Sequence, residues 1–232
     1  MPTTRKDTFG IMAGETPQSG GLDERTAAAV EKVFGPAAGR AARYRDLLAT
    51  VGTERGFIGP REVERLWERH VLNCGVLAEA VPEGATVIDV GSGAGLPGIP
   101  LALAAPSVHV VLLEPLLKRS TFLTEAKAEL GLDNVEVVRG RAEEKAVRRK
   151  LPKADVVTSR AVAPLERLVR WSLPLAKKGG EMIAMKGRSV GEELERDGKA
   201  VAAAGGGRAR IFTVGEGVLD TPASLIGVTR LR

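Results

Sequence analysis

The sequence predicts an α/β protein in which helices cover both faces of a parallel sheet. Beyond Gly84, short apolar segments of strand length alternate with segments of helix length, which is typical of parallel strands joined by crossover helices. Residues 22–83 instead repeat their apolar positions with the period of a helix, which predicts a helical extension ahead of the sheet. Residues 208–231 hold two further apolar segments with a turn-rich link, which indicates an antiparallel carboxyl-terminal edge.

The amino-terminal part divides into a tail and the helical extension. Residues 1–21 are rich in Thr, Gly and Pro and lack a hydrophobic period, so we expect a disordered tail. Within the extension, residues 22–83, we expect Pro60 to begin one long helix, because a missing N–H costs nothing in a first helical turn. The helix face that we expect to pack on the sheet carries Val63, Leu66, Trp67, Val71 and Leu77.

Residues 84–232 are predicted to form the sheet domain. Its parallel strands are expected at 86–90, 109–113, 135–138, 155–158 and 181–185. Helices are expected at 118–130 and 165–175 among the connections, and the antiparallel edge at 208–214 and 224–231. In such a sheet, the loops that follow the carboxyl ends of the strands hold the ligand.

Composition narrows the class of protein. The 232 residues, 44% of them hydrophobic, can bury a full core, and no apolar run is long enough for a membrane span. One cysteine excludes an internal disulfide, and two histidines without neighbouring ligands argue against a zinc centre. We therefore expect a cytoplasmic protein that binds no metal. The formal net charge of +5 permits a polyanionic partner, although a solvated basic surface accounts for it equally well.

A glycine-rich loop follows the first predicted strand, in the stretch TVIDVGSGAGLPGIPLA that begins at Thr86. Without Cβ atoms, Gly91 and Gly93 let the backbone turn sharply and lie against an anionic or flat ligand, with N–H groups pointing at it. Glu114 closes the second strand, where a carboxylate can accept hydrogen bonds from both hydroxyls of a ribose. The sequence therefore predicts a nucleotide-like cofactor.

The loop alone leaves two cofactors open. Residues 93–98 match the G-x-G-x-x-G pattern of nicotinamide dinucleotide sites. Asp89 followed by G-x-G-x-G instead resembles the loop of S-adenosylmethionine methyltransferases. One short motif does not separate these possibilities.

Four further segments, read with this loop, resemble one family. They are LWERHVLNC (66–74), the loop continuation GLPGIPLA (95–102), GRAEE (140–144), and SRAVAPLERLVRWSLPLAKKGG (159–180) leading to AMKG (184–187). Together they resemble the small-subunit ribosomal RNA methyltransferase G family, also called glucose-inhibited division protein B. The resemblance extends from about residue 56 to residue 232, with Asn73 and Cys74 where Asp and Ser are common.

This resemblance implies a fold, an activity and a set of residues. The fold would be that of a class I S-adenosylmethionine-dependent methyltransferase, with a Rossmann-like sheet. The enzyme would methylate N7 of a guanine in the decoding-region loop of 16S ribosomal RNA, with that RNA or the small ribosomal subunit as its partner, and we expect a monomer. With Gly93 and Glu114 from the loop analysis, the implied cofactor contacts are Gly91, Leu96, Ala142, Glu143 and Arg160, and the implied RNA contacts are Arg141 and Lys186.

Guanine N7 carries an in-plane lone pair and no proton, so we expect positioning residues and no general base. Arg160 and Lys186 follow the fourth and fifth predicted strands, where they could hold RNA phosphates or the guanine O6 edge. Arg160 could instead pair with Glu143 or Glu144 and brace the loops. His70 lies beside an apolar stripe and is expected to be a hydrogen-bonded packing residue rather than a base.

Trp171 stands at helical spacing among Leu and Val, so we expect a core residue rather than a platform for stacking.

Other functions stay open beside the methylation of ribosomal RNA. They are a small-molecule S-adenosylmethionine methyltransferase, a non-catalytic RNA-binding protein with the same fold, and, more distantly, a nicotinamide oxidoreductase. An intact glycine loop argues against the non-catalytic protein, because binding RNA needs no nucleotide pocket.

Overall fold

The computed structural model describes residues 22–160, 162–187 and 189–232, so the predicted disordered tail, residues 1–21, lies outside the described residues. A seven-stranded sheet with the order β3-β2-β1-β4-β5-β7-β6 forms the centre of the molecule. The strands are β1 Thr86–Val90, β2 His109–Glu114, β3 Val135–Arg139, β4 Ala154–Arg160, β5 Ala176–Met185, β6 Arg210–Val214 and β7 Ala223–Thr229.

The predicted α/β fold class is confirmed. Strands β1 to β5 run parallel, with Ile88 of β1 opposite both Val111 of β2 and Val157 of β4. Strand β7 runs antiparallel between β5 and β6, so that Ile183 lies opposite Gly227. The carboxyl ends of β1 to β5 therefore meet at one edge of the sheet, as the prediction of a ligand site requires.

Strand β5 begins five positions earlier than the sequence predicts, at Ala176 instead of residue 181. Residues 177–180 have no apolar alternation, so their composition does not indicate a strand. They join the sheet through their backbone, because Gly179 N donates to the Arg230 carbonyl at 2.8 Å and Arg230 N donates to the Gly180 carbonyl at 2.8 Å.

Eight α-helices accompany the sheet in the described part of the chain. They are α1 Glu24–Phe34, α2 Ala38–Leu47, α3 Asn73–Gly75, α4 Gly98–Ala104, α5 Leu117–Leu130, α6 Lys145–Lys150, α7 Leu165–Ser172 and α8 Val190–Ala203. Short 3₁₀ segments lie at Gly35–Ala37, Pro60–Arg65, Val76–Ala80 and Leu173–Leu175, and π-helical segments at Leu48–Gly52 and Leu66–Leu72.

The prediction of one long helix from Pro60 was wrong. The chain winds there through a 3₁₀ segment, the π-helical segment Leu66–Leu72, helix α3 and a second 3₁₀ segment. Each of these pieces is only three to seven residues long, at most about two turns, so a hydrophobic period cannot tell the windings apart. No helix in the described ranges is both long and apolar enough to span a lipid bilayer.

Alternating strand residues point to opposite faces of the sheet, and helices cover both. Val87 and Val110 belong to the larger core, which also contains Tyr44 and Leu66 of the helical extension and Ile99 of α4. On the other face, Ile88, Val111 and Leu113 pack with Ala142, Leu151 and Leu175. The helical extension is therefore part of the main core beside the first βα loop.

Close packing restricts the residue that begins α4. A Cβ atom on Gly98 would lie 2.8 Å from Asp89 Oδ2 and even closer to the side chain of Leu112, both of which are buried. Gly98 N donates to Asp89 Oδ2 at 3.0 Å, so any shift of the helix start would also strain this bond. The start of α4 thus has room for glycine only.

We expect Gly98→Ala to lower the free energy of unfolding by about 1–3 kcal/mol, the usual cost of overpacking a core. The matched control is Gly198→Ala in the interior of α8, where an added Cβ has no neighbour within 4 Å. This change should raise stability by about 0.5–1 kcal/mol. Urea denaturation of both variants measures the difference, and equal stability of Gly98→Ala and the unmodified protein would contradict this account of the packing.

Candidate active site

The loop after β1 needs glycine for two physical reasons. Gly91 has φ +70° and Gly93 has φ +59°, values that L side chains rarely adopt. A Cβ on Gly91 would also lie 3.1 Å from the side chain of Val162, in the loop after β4. Gly91 N donates to the Leu113 carbonyl at 2.8 Å, which ties the loop to the end of β2.

Glu114 supports this loop from the end of β2. Its side chain is almost fully buried, with the residue 2% exposed. Oε2 accepts a hydrogen bond from Gly93 N at 2.9 Å, and Oε1 accepts one from Leu116 N at 2.9 Å. Each carboxylate oxygen has a further lone pair, so the predicted contact with ribose hydroxyls is compatible with these bonds and stays a prediction.

A cleft of about 170 Å³ opens beside this loop at the carboxyl ends of β1, β2 and β3. Four predicted site residues line it, namely Gly91, Arg141, Ala142 and Glu143. Leu96 does not line it: this half-buried residue donates its N–H to the Ser92 carbonyl at 3.0 Å and packs against the larger core. The cleft thus brings together segments that are about 50 positions apart in the sequence.

Six residues that line the same cleft were not predicted as site residues, among them Trp171 and Val162. Trp171, which we expected in the core, is half-buried and lines the cleft from α7. Val162 faces it from the loop after β4. The signal for Trp171 was its position within the helix predicted to follow the fourth strand, but helical spacing does not distinguish a core residue from one at the rim of a cleft.

Arg160 and Lys186 lie at a second cleft, of about 570 Å³, between the helical extension, the end of β5 and the approach to β7. The residues that line it are Arg65, Glu68, Arg69, Asn73, Arg160, Met185, Lys186, Gly187 and 219–224. Four of these side chains are cationic and two are acidic. We call it the basic cleft, and its size and charge suit a polyanionic group better than an apolar one.

Arg160 reaches from the end of β4 to the helical extension. Nη1 donates to Cys74 Sγ at 3.1 Å, and Nη2 donates to the Arg69 carbonyl at 2.9 Å and to His70 Nδ1 at 3.0 Å. No ion pair joins Arg160 to Glu143 or Glu144 in the described residues. The alternative role of bracing those loops thus has no contact to support it here.

His70 has a hydrogen-bond partner on each ring nitrogen. Nε2 lies 2.9 Å from Glu62 Oε2, and Nδ1 accepts from Arg160. Burial and the charge of Arg160 lower the pKa of His70, while the hydrogen bond with Glu62 opposes them. The imidazole is therefore neutral at neutral pH.

Lys186 is largely buried, with a side chain 12% exposed, and its charge has an acidic partner. Nζ lies 3.0 Å from Glu193 Oε1 and donates to the Ala163 carbonyl at 2.9 Å. Glu193 Oε1 also accepts from Leu165 N at 2.6 Å. Lys186 thus holds the loop after β4. Arg141, predicted for the same RNA role, differs: its side chain is 57% exposed, and its Nη1 lies 3.9 Å from Glu143 Oε1, too far for a hydrogen bond.

Asp89 lies in a buried polar region beneath the glycine loop. Burial raises the pKa of Asp89 to about 7, against the hydrogen bond that Gly98 N donates to Oδ2, and its Oδ1 has no hydrogen-bond partner among the described residues. Nearby, the buried Tyr44 hydroxyl donates to the Ala94 carbonyl at 2.8 Å, and burial raises the pKa of both Tyr44 and Cys74. Sequence analysis missed Tyr44, the single tyrosine of the chain.

Proteins with the same architecture have been solved. A SAM-dependent O-methyltransferase from Thermotoga maritima has a TM-score of 0.54 at 16% identity, over 74% of this chain and 70% of that chain. TYW2 from M. jannaschii, in complex with AdoMet, has a TM-score of 0.51 at 17% identity, over 67% of this chain and 72% of that chain. At these identities the likeness shows the fold alone.

Sequence comparison is more specific. The family model GidB, rRNA small subunit methyltransferase G, matches residues 38–218. The Ribosomal RNA small subunit methyltransferase G of Corynebacterium efficiens is 62% identical over 205 residues, 88% of this chain and 88% of that protein. The protein of that name from Mycolicibacterium gilvum is 54% identical over 198 residues, 85% of this chain and 87% of that protein. The chain belongs to the rRNA small subunit methyltransferase G family.

Proposed function

We propose that this chain transfers the methyl group of S-adenosylmethionine to N7 of a guanine in the decoding-region loop of 16S ribosomal RNA. The observation that carries the proposal is the family match over residues 38–218, together with relatives of that printed name at 62% and 54% identity. Both clefts support the proposal, because the cleft beside the glycine loop could hold the cofactor and the basic cleft could hold RNA. As part of the same proposal, the enzyme acts as a monomer in the cytoplasm and needs no metal.

The residues in and beneath the glycine loop fit the cofactor. Gly91 and Gly93 offer a surface without Cβ atoms, and Asp89 Oδ1 is a buried acceptor without a partner in the described chain. When bound, S-adenosylmethionine supplies an activated methyl group on a sulfonium. Of the predicted contacts, Gly91, Ala142 and Glu143 line the cleft, and Gly93 and Glu114 adjoin it through the glycine loop. Leu96, which does not line the cleft, and Arg160, which lines the basic cleft, stay predictions as cofactor contacts.

The residues of the chain then have to position the guanine. The N7 lone pair forms the new bond to the methyl carbon. Since N7 carries no proton that must be removed, no side chain has to act as a base. Orientation is the main contribution, and it suits a cleft walled by hydrogen-bonded side chains. Arg160 and Lys186 stand at the shared edge of the sheet, where we propose that they position the nucleotide, with Lys186 acting through the loop that it holds.

The decisive experiment supplies radiolabelled S-adenosylmethionine with small ribosomal subunits, naked 16S RNA or small-molecule acceptors. The RNA comes from cells that lack this enzyme, so that the target is unmethylated. We expect label in the ribosomal RNA, recovered as 7-methylguanosine after digestion. Label only in small molecules would favour the small-molecule methyltransferase, and RNA binding without transfer would favour the non-catalytic protein.

We expect the protein to bind S-adenosylhomocysteine and not NAD, and Gly93→Val to abolish this binding, because valine does not tolerate φ +59° in the loop. Gly59→Val is the matched control, since Gly59 has an extended backbone and open space around its Cβ position. Calorimetry of the two variants measures the affinities. Tight NAD binding, or full affinity in Gly93→Val, would show that the loop has been assigned to the wrong ligand.

Arg141→Ala should weaken RNA binding and lower the slope of log affinity against log salt by about 0.9 at most, the value for one phosphate contact. Lys186→Ala should also weaken RNA binding, but it removes the bonds to Glu193 and Ala163 and should destabilise the fold as well. Lys199→Ala, on the exposed side of α8 outside both clefts, is the control. If Arg141→Ala loses cofactor affinity with an unchanged salt slope, its role lies in the cofactor cleft.

A further inference from the structure

Arg160 is the one predicted site residue whose side-chain hydrogen bonds in the described chain all go to the helical extension. Its acceptors are the Arg69 carbonyl, His70 Nδ1 and Cys74 Sγ. The remaining N–H groups of its guanidinium have no acceptor among the described residues, and the side chain lines the basic cleft. The extension therefore determines where the donors of Arg160 point.

Of these three acceptors, only His70 changes its hydrogen bonding within the pH range in which enzymes work. The Arg69 acceptor is a backbone oxygen, and burial raises the pKa of the Cys74 thiol, which stays protonated. For His70 the tautomer follows from its partners. Glu62 is ionised and can only accept, so Nε2 carries the proton and donates, and the Nδ1 lone pair accepts from Arg160.

We propose that His70 is a positioning residue for methyl transfer: in its neutral form it orients Arg160 toward the basic cleft, with Glu62 fixing the required tautomer. This proposal rests on the proposed function, because Arg160 acts there on the guanine nucleotide. It gives the helical extension a direct part in the active site. It also differs from general-base catalysis, since Glu62 and Arg160 engage both ring nitrogens and leave neither to take a proton from the substrate.

Protonation of His70 would break the arrangement. A proton on Nδ1 would face the Arg160 guanidinium, which can only donate, and the two cations would repel each other. The ionisable groups that face His70 are Glu62 from the 3₁₀ segment, Arg69 from its own segment and Arg160 from β4. Burial and the two arginines favour the neutral ring over the opposing effect of Glu62, so the pKa of His70 is below its ordinary value of 6.5.

The pH dependence therefore has a definite sign. Above pH 7 the neutral ring holds Arg160, and this contact adds no pH dependence to methyl transfer. As pH falls below 6.5, the protonated ring releases Arg160 and activity declines. A catalytic base would produce a similar acid limb, so the variants must separate positioning from proton transfer.

His70→Asn and His70→Leu make this separation. The Asn side-chain oxygen lies close to the place of Nδ1 and accepts a hydrogen bond without titrating, whereas Leu offers no acceptor. We measure kcat and KM for unmethylated small subunits from pH 5.5 to 8, at saturating S-adenosylmethionine. His109→Asn is the matched control, because His109 is an exposed residue at the opposite end of the sheet.

We expect the acid limb in the unmodified protein and in His109→Asn. His70→Asn should keep most of the plateau activity and lose the acid limb. His70→Leu should have no acid limb and a kcat/KM about tenfold below the plateau of the unmodified protein, the size expected for one lost hydrogen bond to a charged group. Melting temperature and S-adenosylhomocysteine affinity show that the variants remain folded.

Three results would overturn the inference. The first is an acid limb that persists in His70→Asn, and the second is full activity in His70→Leu. The third is a His70→Asn variant that binds both substrates yet is as inactive as His70→Leu at every pH, which would indicate a base. No transfer by the unmodified protein at pH 8 would instead overturn the proposed function and, with it, the catalytic role of His70.

A measurement that requires no methyl transfer tests the contact between His70 and Arg160 on its own. NMR titration of the His70 ring should give a pKa below 6.5 in the unmodified protein and a higher pKa in Arg160→Ala, because the variant lacks the facing cation. An unchanged pKa would contradict the contact between His70 and Arg160, whatever the enzyme methylates.

Discussion

The hydrogen bond from Gly98 N to the buried carboxyl group of Asp89 is the interaction on which the active-site edge depends. It joins the end of β1 to the start of α4 across the glycine loop, and it leaves no space for a side chain at position 98. The Tyr44 hydroxyl holds the same loop from the helical extension, through the Ala94 carbonyl. The loop is thus held on both sides by groups buried away from water, where an alternative partner is not available.

The sequence predicted those features that follow from local repetition. Short apolar segments that alternate with segments of helix length located the five parallel strands, and Glu114 was correctly placed at the end of the second. The start of β5 could not be predicted, because residues 177–180 pair through their backbone with a segment about 50 positions away. The π-helical segment Leu66–Leu72 could not be predicted either, since seven residues complete too few turns for a period to identify the winding.

Long-range partners explain the rest of the difference between prediction and structure. Arg160 was recognised through a family resemblance, but its partners Arg69, His70 and Cys74 are nearly 90 positions away, where no spacing rule applies. Lys186 and Arg141 were predicted for the same role, yet one has an acidic partner in a largely buried site and the other is open to water. Residue type indicates which chemistry is possible, and burial decides which charge remains available.

One acceptor of Arg160 is a backbone atom, the Arg69 carbonyl, and this affects how the site can diverge in evolution. A side-chain replacement at position 69 leaves that oxygen in place, so the hydrogen bond constrains the course of the main chain and not the identity of the residue. Inserting or deleting a residue within Leu66–Leu72 would rotate the oxygen away while leaving the composition almost unchanged. The side chain at position 69 can therefore change without loss of this acceptor, whereas the length of Leu66–Leu72 cannot.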